Sequence, residues 1–142
     1  MDIGFGTGGG MFEELIGQIV QAIILEKDGQ RLIIKTNKYK YTFVAEGDCC
    51  AVAYVLEPDE EDLNNFLGNE IVQATSSAVS VVNDEWGNQT DTEFYNLRTH
   101  KGDLTLELRT EHNGYYCGWL MLIGREEVWP VFDDIREEAF KK

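Results

Sequence analysis

Leu104, Leu106 and Leu108 alternate with Asp103, Thr105, Glu107 and Arg109, and this period of two constrains the chain more than any other stretch. Successive side chains on a strand leave opposite faces, so the leucines form one apolar face and the charged residues the other. Residues 91–99, with Phe94-Tyr95, lead into this strand through His100-Lys101-Gly102. Asn113-Gly114 follows it, the dipeptide that best tolerates the two positive φ values of a type I′ turn. Residues 115–123 are apolar on both faces, as in a strand covered on both sides. A three-stranded antiparallel meander over residues 91–123 is the expectation.

The remaining elements order themselves around it. Met11, Phe12, Leu15 and Ile16 make one or two helical turns that end at Gly17. Residues 18–27 and 31–36 are rich in Ile and Val and bracket Asp28-Gly29, a second hairpin signal. Tyr39, Tyr41 and Phe43 alternate with Lys40, Thr42 and Val44 as a further strand. Lys35, Lys38 and Lys40 read as protection of a sheet edge. Residues 51–56 are a short apolar strand or buried turn. Residues 57–68 read as a helix with Pro58 in its first position and Asp59, Glu60, Glu61 and Asp62 at the positive end of its dipole. Leu63, Phe66 and Leu67 form its buried stripe and Gly68 its stop, so the acidic run is a helix-start device rather than a metal site. Residues 71–83 form a long strand with a bulge expected at Thr75-Ser76-Ser77, and residues 84–90 a loop presenting Trp86. Pro130 opens a C-terminal helix with Phe132, Ile135 and Ala139 on one face. The fold class is therefore α+β, mainly antiparallel sheet with a hairpin, the C-terminal meander, one or two short helices and the C-terminal helix. A single domain over residues 11–142 follows a flexible Gly-rich segment, residues 1–10. Gly4, Gly6 and Gly9 fit G-x-G-x-x-G but lack the preceding strand that a dinucleotide fold needs.

Twelve basic against twenty-six acidic residues give a net charge of −14, which disfavours nucleic-acid polymers and anionic membranes as partners. No run of eighteen apolar residues is present, and residues 1–10 lack the basic-then-apolar layout of a signal peptide, so neither a membrane span nor a signal peptide is expected. Three cysteines, two of them adjacent, make no disulfide framework and suit a reducing intracellular setting.

Catalytic chemistry finds no constellation. His100 and His112 both fall in expected turns, where a histidine without a partner is solvated. No Ser or Cys sits in a nucleophile elbow. Cys49-Cys50 lacks the C-x-x-C spacing of a zinc site, so Cys49, Cys50 and Cys117 read as structural. No enzyme activity, metal or cofactor is expected. Ligand binding is better served. Phosphate favours the planar arginine fork, and a base favours an aromatic face. Arg98 and Arg109 fall in the meander, with Lys101 in its turn, and Trp86, Asn113 and Tyr115 lie close to them in sequence or across hairpins. The plainer reading pairs Arg109 with Glu107 or Glu111 at the surface.

Asp48-Cys49-Cys50, Asp62-Leu63 with Leu67-Gly68, Phe94-Tyr95, Thr99 with Lys101-Gly102, and Asn113-Gly114-Tyr115-Tyr116 form an ordered set. With it the chain resembles a small bacteriophage and prophage domain family over residues 15 to 123. Ala51 stands where that pattern has an acidic residue. The chain also resembles the type-one Thoeris anti-defence proteins, phage sponges of bacterial immunity. That resemblance implies tight binding, without degradation, of a glyco-cyclic ADP-ribose messenger, with cyclic oligonucleotides as further ligands. It also implies a homo-oligomer of dimers building a hexamer, acting in the cytoplasm of the infected bacterial host. The alternative is an acidic DNA mimic that blocks a basic host defence protein.

Overall fold

The structure is a computed structural model and describes residues 10–47, 51–113 and 118–128. In chain order it has α1 (Gly10–Glu13), β1 (Val20–Glu26), β2 (Arg31–Thr36), β3 (Tyr39–Gly47), β4 (Val52–Val55), α2 (Glu60–Phe66), β5 (Ile71–Val82), β6 (Gln89–Thr99), β7 (Asp103–His112) and β8 (Gly118–Glu127). The strands form two four-stranded sheets, ordered β1-β2-β3-β8 and β4-β7-β6-β5, and every pairing is antiparallel. The fold is α+β and mainly antiparallel sheet.

The β6–β7 hairpin follows the leucine alternation: Leu104, Leu106 and Leu108 are buried opposite Leu97, Tyr95 and Glu93. The meander, however, sits one strand earlier in the chain. It is built from β5, β6 and β7, while β8 crosses to the other sheet and pairs with β3 from Tyr39↔Glu127 to Gly47↔Gly118. β8 is thus an outer strand rather than a central one. Of its apolar residues Leu120 is buried and Ile123 is exposed. An apolar run in sequence does not reveal which sheet receives it.

Other expectations shift for local reasons. The strand irregularity falls between Ile71 and Gln73, and Thr75-Ser76-Ser77 pairs regularly with β6. Lys35 and Lys40 face one another on β2 and β3, both interior strands, so they protect no edge. The cap of α2 is Asp59, whose Oδ1 accepts the Asp62 N–H at 3.0 Å, and Pro58 precedes the helix. In the first hairpin the positive φ values fall on Lys27 and Asp28, one residue earlier than Asp28-Gly29 alone implies, and Gly29 continues them at φ 88°. The segments at 1–9, Asp48-Cys49-Cys50, Gly114 to Cys117 and the expected helix after Pro130 lie outside the described residues.

One apolar cluster joins both sheets and both helices. Phe12 stands at its centre. Its ring meets Tyr95 of one sheet edge-on at 4.9 Å and Phe43 of the other at 5.3 Å. Beside it runs a satisfied buried polar network: Gln18 donates to Tyr41 Oη at 2.9 Å, Thr36 donates to Gln18 Oε1 at 2.6 Å, and Tyr41 donates to Glu14 at 3.0 Å. Arg125 from β8 also reaches Glu14 and lies over the Tyr39 ring. Burial drives the Tyr41 phenol far above its ordinary range, so it stays a neutral donor.

Candidate functional site

β7 carries Arg109 on the polar face, opposite the leucines, and the register sets it directly between Thr92 of β6 and Tyr54 of β4. Tyr54 donates from its hydroxyl to Glu111 Oε2 at 2.7 Å. Partial burial, reinforced by that bond, raises the phenol's pKa and keeps it protonated. Arg109 Nη2 lies 3.6 Å from Glu107 Oε1, a partly exposed pair of small energetic worth. Its Nε is different: this N–H is buried and meets no acceptor among the described residues. A buried donor left without a partner costs about 1–3 kcal/mol, which an incoming acceptor would recover.

The β5–β6 turn lies at the same end of the sheet. Asp84 Oδ1 accepts from the backbone N–H of Trp86 at 2.9 Å and of Asn88 at 3.1 Å, and its Oδ2 accepts from the Asn88 side chain at 2.8 Å. These bonds hold the Asp84 carboxyl below its usual pKa, led by the Asn88 side chain. They fix a turn that leaves Trp86 79% exposed. Gly87, at φ 90°, approaches the Asn113 carbonyl so closely that a Cβ there would stand 3.3 Å from it. Trp86 and Asn113 are therefore neighbours.

Arg98 and Lys101 do not join them. Arg98 faces Asp103 at the opposite end of the hairpin and pairs with it at 3.4 Å. Arg109 lies six positions along β7 from Asp103, about 20 Å along the sheet. Lys101 is exposed in the turn that Thr99 organises. Tyr115 lies outside the described residues. Of the six residues singled out in the sequence, Arg109, Trp86 and Asn113 share one end of the sheet.

His112 departs from its expected role as a solvated turn residue. It closes β7, is buried, and sets Nε2 2.6 Å from Asp91 Oδ2. Burial pushes the Asp91 carboxyl up, but bonds from Ser80, Gln89 and His112 outweigh it and hold the pKa below the ordinary carboxylate range. Two residues along the same face, burial raises Glu93, opposed by the Tyr95 hydroxyl donating at 2.7 Å. A cavity of about 240 Å³ lies against Asp91, Glu93, Ser80 and Thr110. His100 is exposed beyond β6, as a turn histidine should be.

Sequence reasoning missed Tyr54 because its neighbour Arg109 is 55 positions away, and no local pattern marks β4 as the strand that flanks β7. Tyr54 also lines a cleft of about 860 Å³ between β1, β4 and the start of α2. Among the described residues no group of three or more His, Cys, Asp or Glu side chains gathers as a metal site, and no helix is long and apolar enough to cross a membrane.

A family model described as Domain of unknown function (DUF7448) matches residues 13–122, from the end of α1 into β8. The chain belongs to that family. Its match takes in every described strand and α2, so the two-sheet architecture coincides with the DUF7448 region. No curated protein and no solved structure matches the chain.

Proposed function

We propose that this DUF7448 protein is a phage anti-defence protein that sequesters a cyclic nucleotide immune messenger of the glyco-cyclic ADP-ribose type, or a cyclic oligonucleotide, without cleaving it. It would thereby block Thoeris-type immunity in the cytoplasm of the infected bacterial host. The observation that carries the reading is Arg109: a guanidinium whose buried Nε meets no acceptor among the described residues, across from Tyr54 in the strand register. Phosphate oxygens are the acceptors that the arginine fork fits best. Trp86, exposed at the same end of the sheet, supplies a stacking face worth about 1–3 kcal/mol per base. Glu107 and Glu111 flank Arg109 and oppose an anion. The proposal therefore includes a homo-oligomer, dimers building a hexamer, in which a second copy adds cations to the site. A sponge must outcompete the effector, which calls for about nanomolar affinity and slow release.

The test is to incubate the purified protein with glyco-cyclic ADP-ribose, remove free ligand, denature by heat and identify what is released by mass spectrometry. Intact messenger in near-stoichiometric amount supports the reading, and a cleaved product replaces it with an enzyme. No retained ligand, here or with a panel of cyclic oligonucleotides, overturns it. A second reading, an acidic mimic of DNA that blocks a basic defence protein, draws on the exposed Glu60, Glu61 and Asp62 of α2 and the net charge of −14. It predicts a basic protein partner with steep salt dependence and no nucleotide.

A further inference from the structure

Sheet edges are where the described strands are most open to a partner, and β1 is one of these edges. It is the outer strand of its sheet. Gly68 donates to the Val20 carbonyl at 2.9 Å and covers its beginning. From Ala22 to Leu25, on the side away from β2, no backbone group meets a hydrogen-bond partner among the described residues. Natural edges are blunted by lysine, proline or inward charges. β1 reads VQAIILE and carries none of these before its last residue. Of the lysines that sequence alone assigns to an edge, Lys35 and Lys40 lie on interior strands and Lys38 in the turn between them.

No described residue fills the space beside this edge. The 860 Å³ cleft is bounded by Ile23 and Leu25 of β1, by Tyr54 and Val55 of β4, and by Leu63 of α2. An apolar wall on both sides offers places for alternate side chains of an extended segment. The polar part of the lining is of one sign. Asp28, Glu57 and Glu60 border the cleft, no Lys or Arg does, and none of these carboxylates forms an ion pair among the described residues. Three carboxylates without an ion pair would repel an acidic segment. They would attract a basic one.

We infer that the cleft is a strand-addition site: a basic, extended segment of a partner protein pairs with β1 over Ala22–Leu25, turns apolar side chains toward Ile23, Leu25 and Leu63, and sets Lys or Arg against Asp28, Glu57 and Glu60. In this mode main-chain hydrogen bonds supply affinity, and the alternate side-chain positions supply selectivity. The inference rests on different charged groups from the nucleotide reading: Arg109 lies on neither the edge nor the cleft lining, and only Tyr54 borders both places.

The test uses the full chain and three synthetic nine-residue probes: one alternating Lys with Val, one alternating Glu with Val, and the Lys peptide with its central Val replaced by Pro. Binding is followed by fluorescence anisotropy, and amide hydrogen exchange locates the peptide. The Lys–Val peptide should bind, slow exchange between residues 22 and 25, and lose about fivefold in affinity in the Glu57→Gln/Glu60→Gln variant, as expected for two partly exposed charge contacts. The proline peptide should bind more weakly, because it lacks one main-chain donor. Equal binding of the Lys and Glu peptides, absence of binding, or protection confined to another part of the chain would overturn the assignment. So would amides at 22–25 that are already protected without peptide in a dimer that dissociates on dilution, which would give the edge to a second copy. Messenger retention measured on the same double variant separates the two proposals, since it should be unchanged.

Discussion

Arg109 shows how a single residue is legible from sequence in one respect and not in another. The alternation around it places it on the polar face of β7, and there it is. Its unsatisfied Nε and its position across from Tyr54 belong to a pairing that no alternation predicts. In the proposed function Arg109→Ala should abolish retention of the messenger while leaving thermal stability nearly unchanged. Mass spectrometry of released ligand alongside a melting curve checks both. Glu93 makes a pH prediction of definite sign. Burial raises its folded-state pKa above the unfolded value, so its contribution is full when it is protonated and is lost as pH rises through the folded pKa. Glu93→Gln keeps an acceptor for Tyr95 and removes the buried charge. It should therefore raise the melting temperature at pH 7 and change it little near about pH 3.5, below the unperturbed glutamate range. Asp91 behaves oppositely, because its lowered pKa contributes stability that is lost as pH falls.

At the scale of elements, strands and α2 were readable because their signals are local: alternation in β3 and β7, turn residues between them, and an acidic run ahead of an apolar stripe. Asp59→Ala should cost about 1 kcal/mol through loss of the bond to the Asp62 N–H, measured by denaturant unfolding. What was not local was misplaced. The lysines of β2 and β3 looked like edge residues because sequence does not show that β8 covers β3. The β1–β2 turn makes the same point from the other side. Asp28-Gly29 is visible as a turn, but a Cβ on Gly29 would stand 2.3 Å from the Val55 carbonyl oxygen of β4, in the other sheet. With φ at 88°, Gly29→Ala should destabilise by about 2–3 kcal/mol, beyond the effect of an ordinary turn glycine, because a hairpin of one sheet docks there on the edge of the other.

For the whole molecule, the two sheets share one apolar cluster, and Phe12 touches both through Tyr95 and Phe43. Neither sheet has a core of its own. Unfolding should therefore be a single transition, coincident by tryptophan fluorescence and far-ultraviolet circular dichroism. Separate transitions would show that the sheets are independent. The cavity left by Phe12→Ala should cost about 3–5 kcal/mol and move both signals together.

The sequence by itself determined most of the stretches that are strands, that the sheets are antiparallel, that a helix lies within residues 57–68 and which face of β7 carries Arg109. Each is written in neighbours a few positions apart, through periodicity and turn chemistry. Only the tertiary structure decided that β8 leaves β7 for β3, that Tyr54 faces Arg109, that His112 is buried against Asp91, and that β1 opens onto an acidic cleft. Those outcomes depend on contacts between residues up to 88 positions apart, as in Tyr39↔Glu127, where many apolar strands are chemically eligible partners and only the simultaneous packing of one common core selects among them.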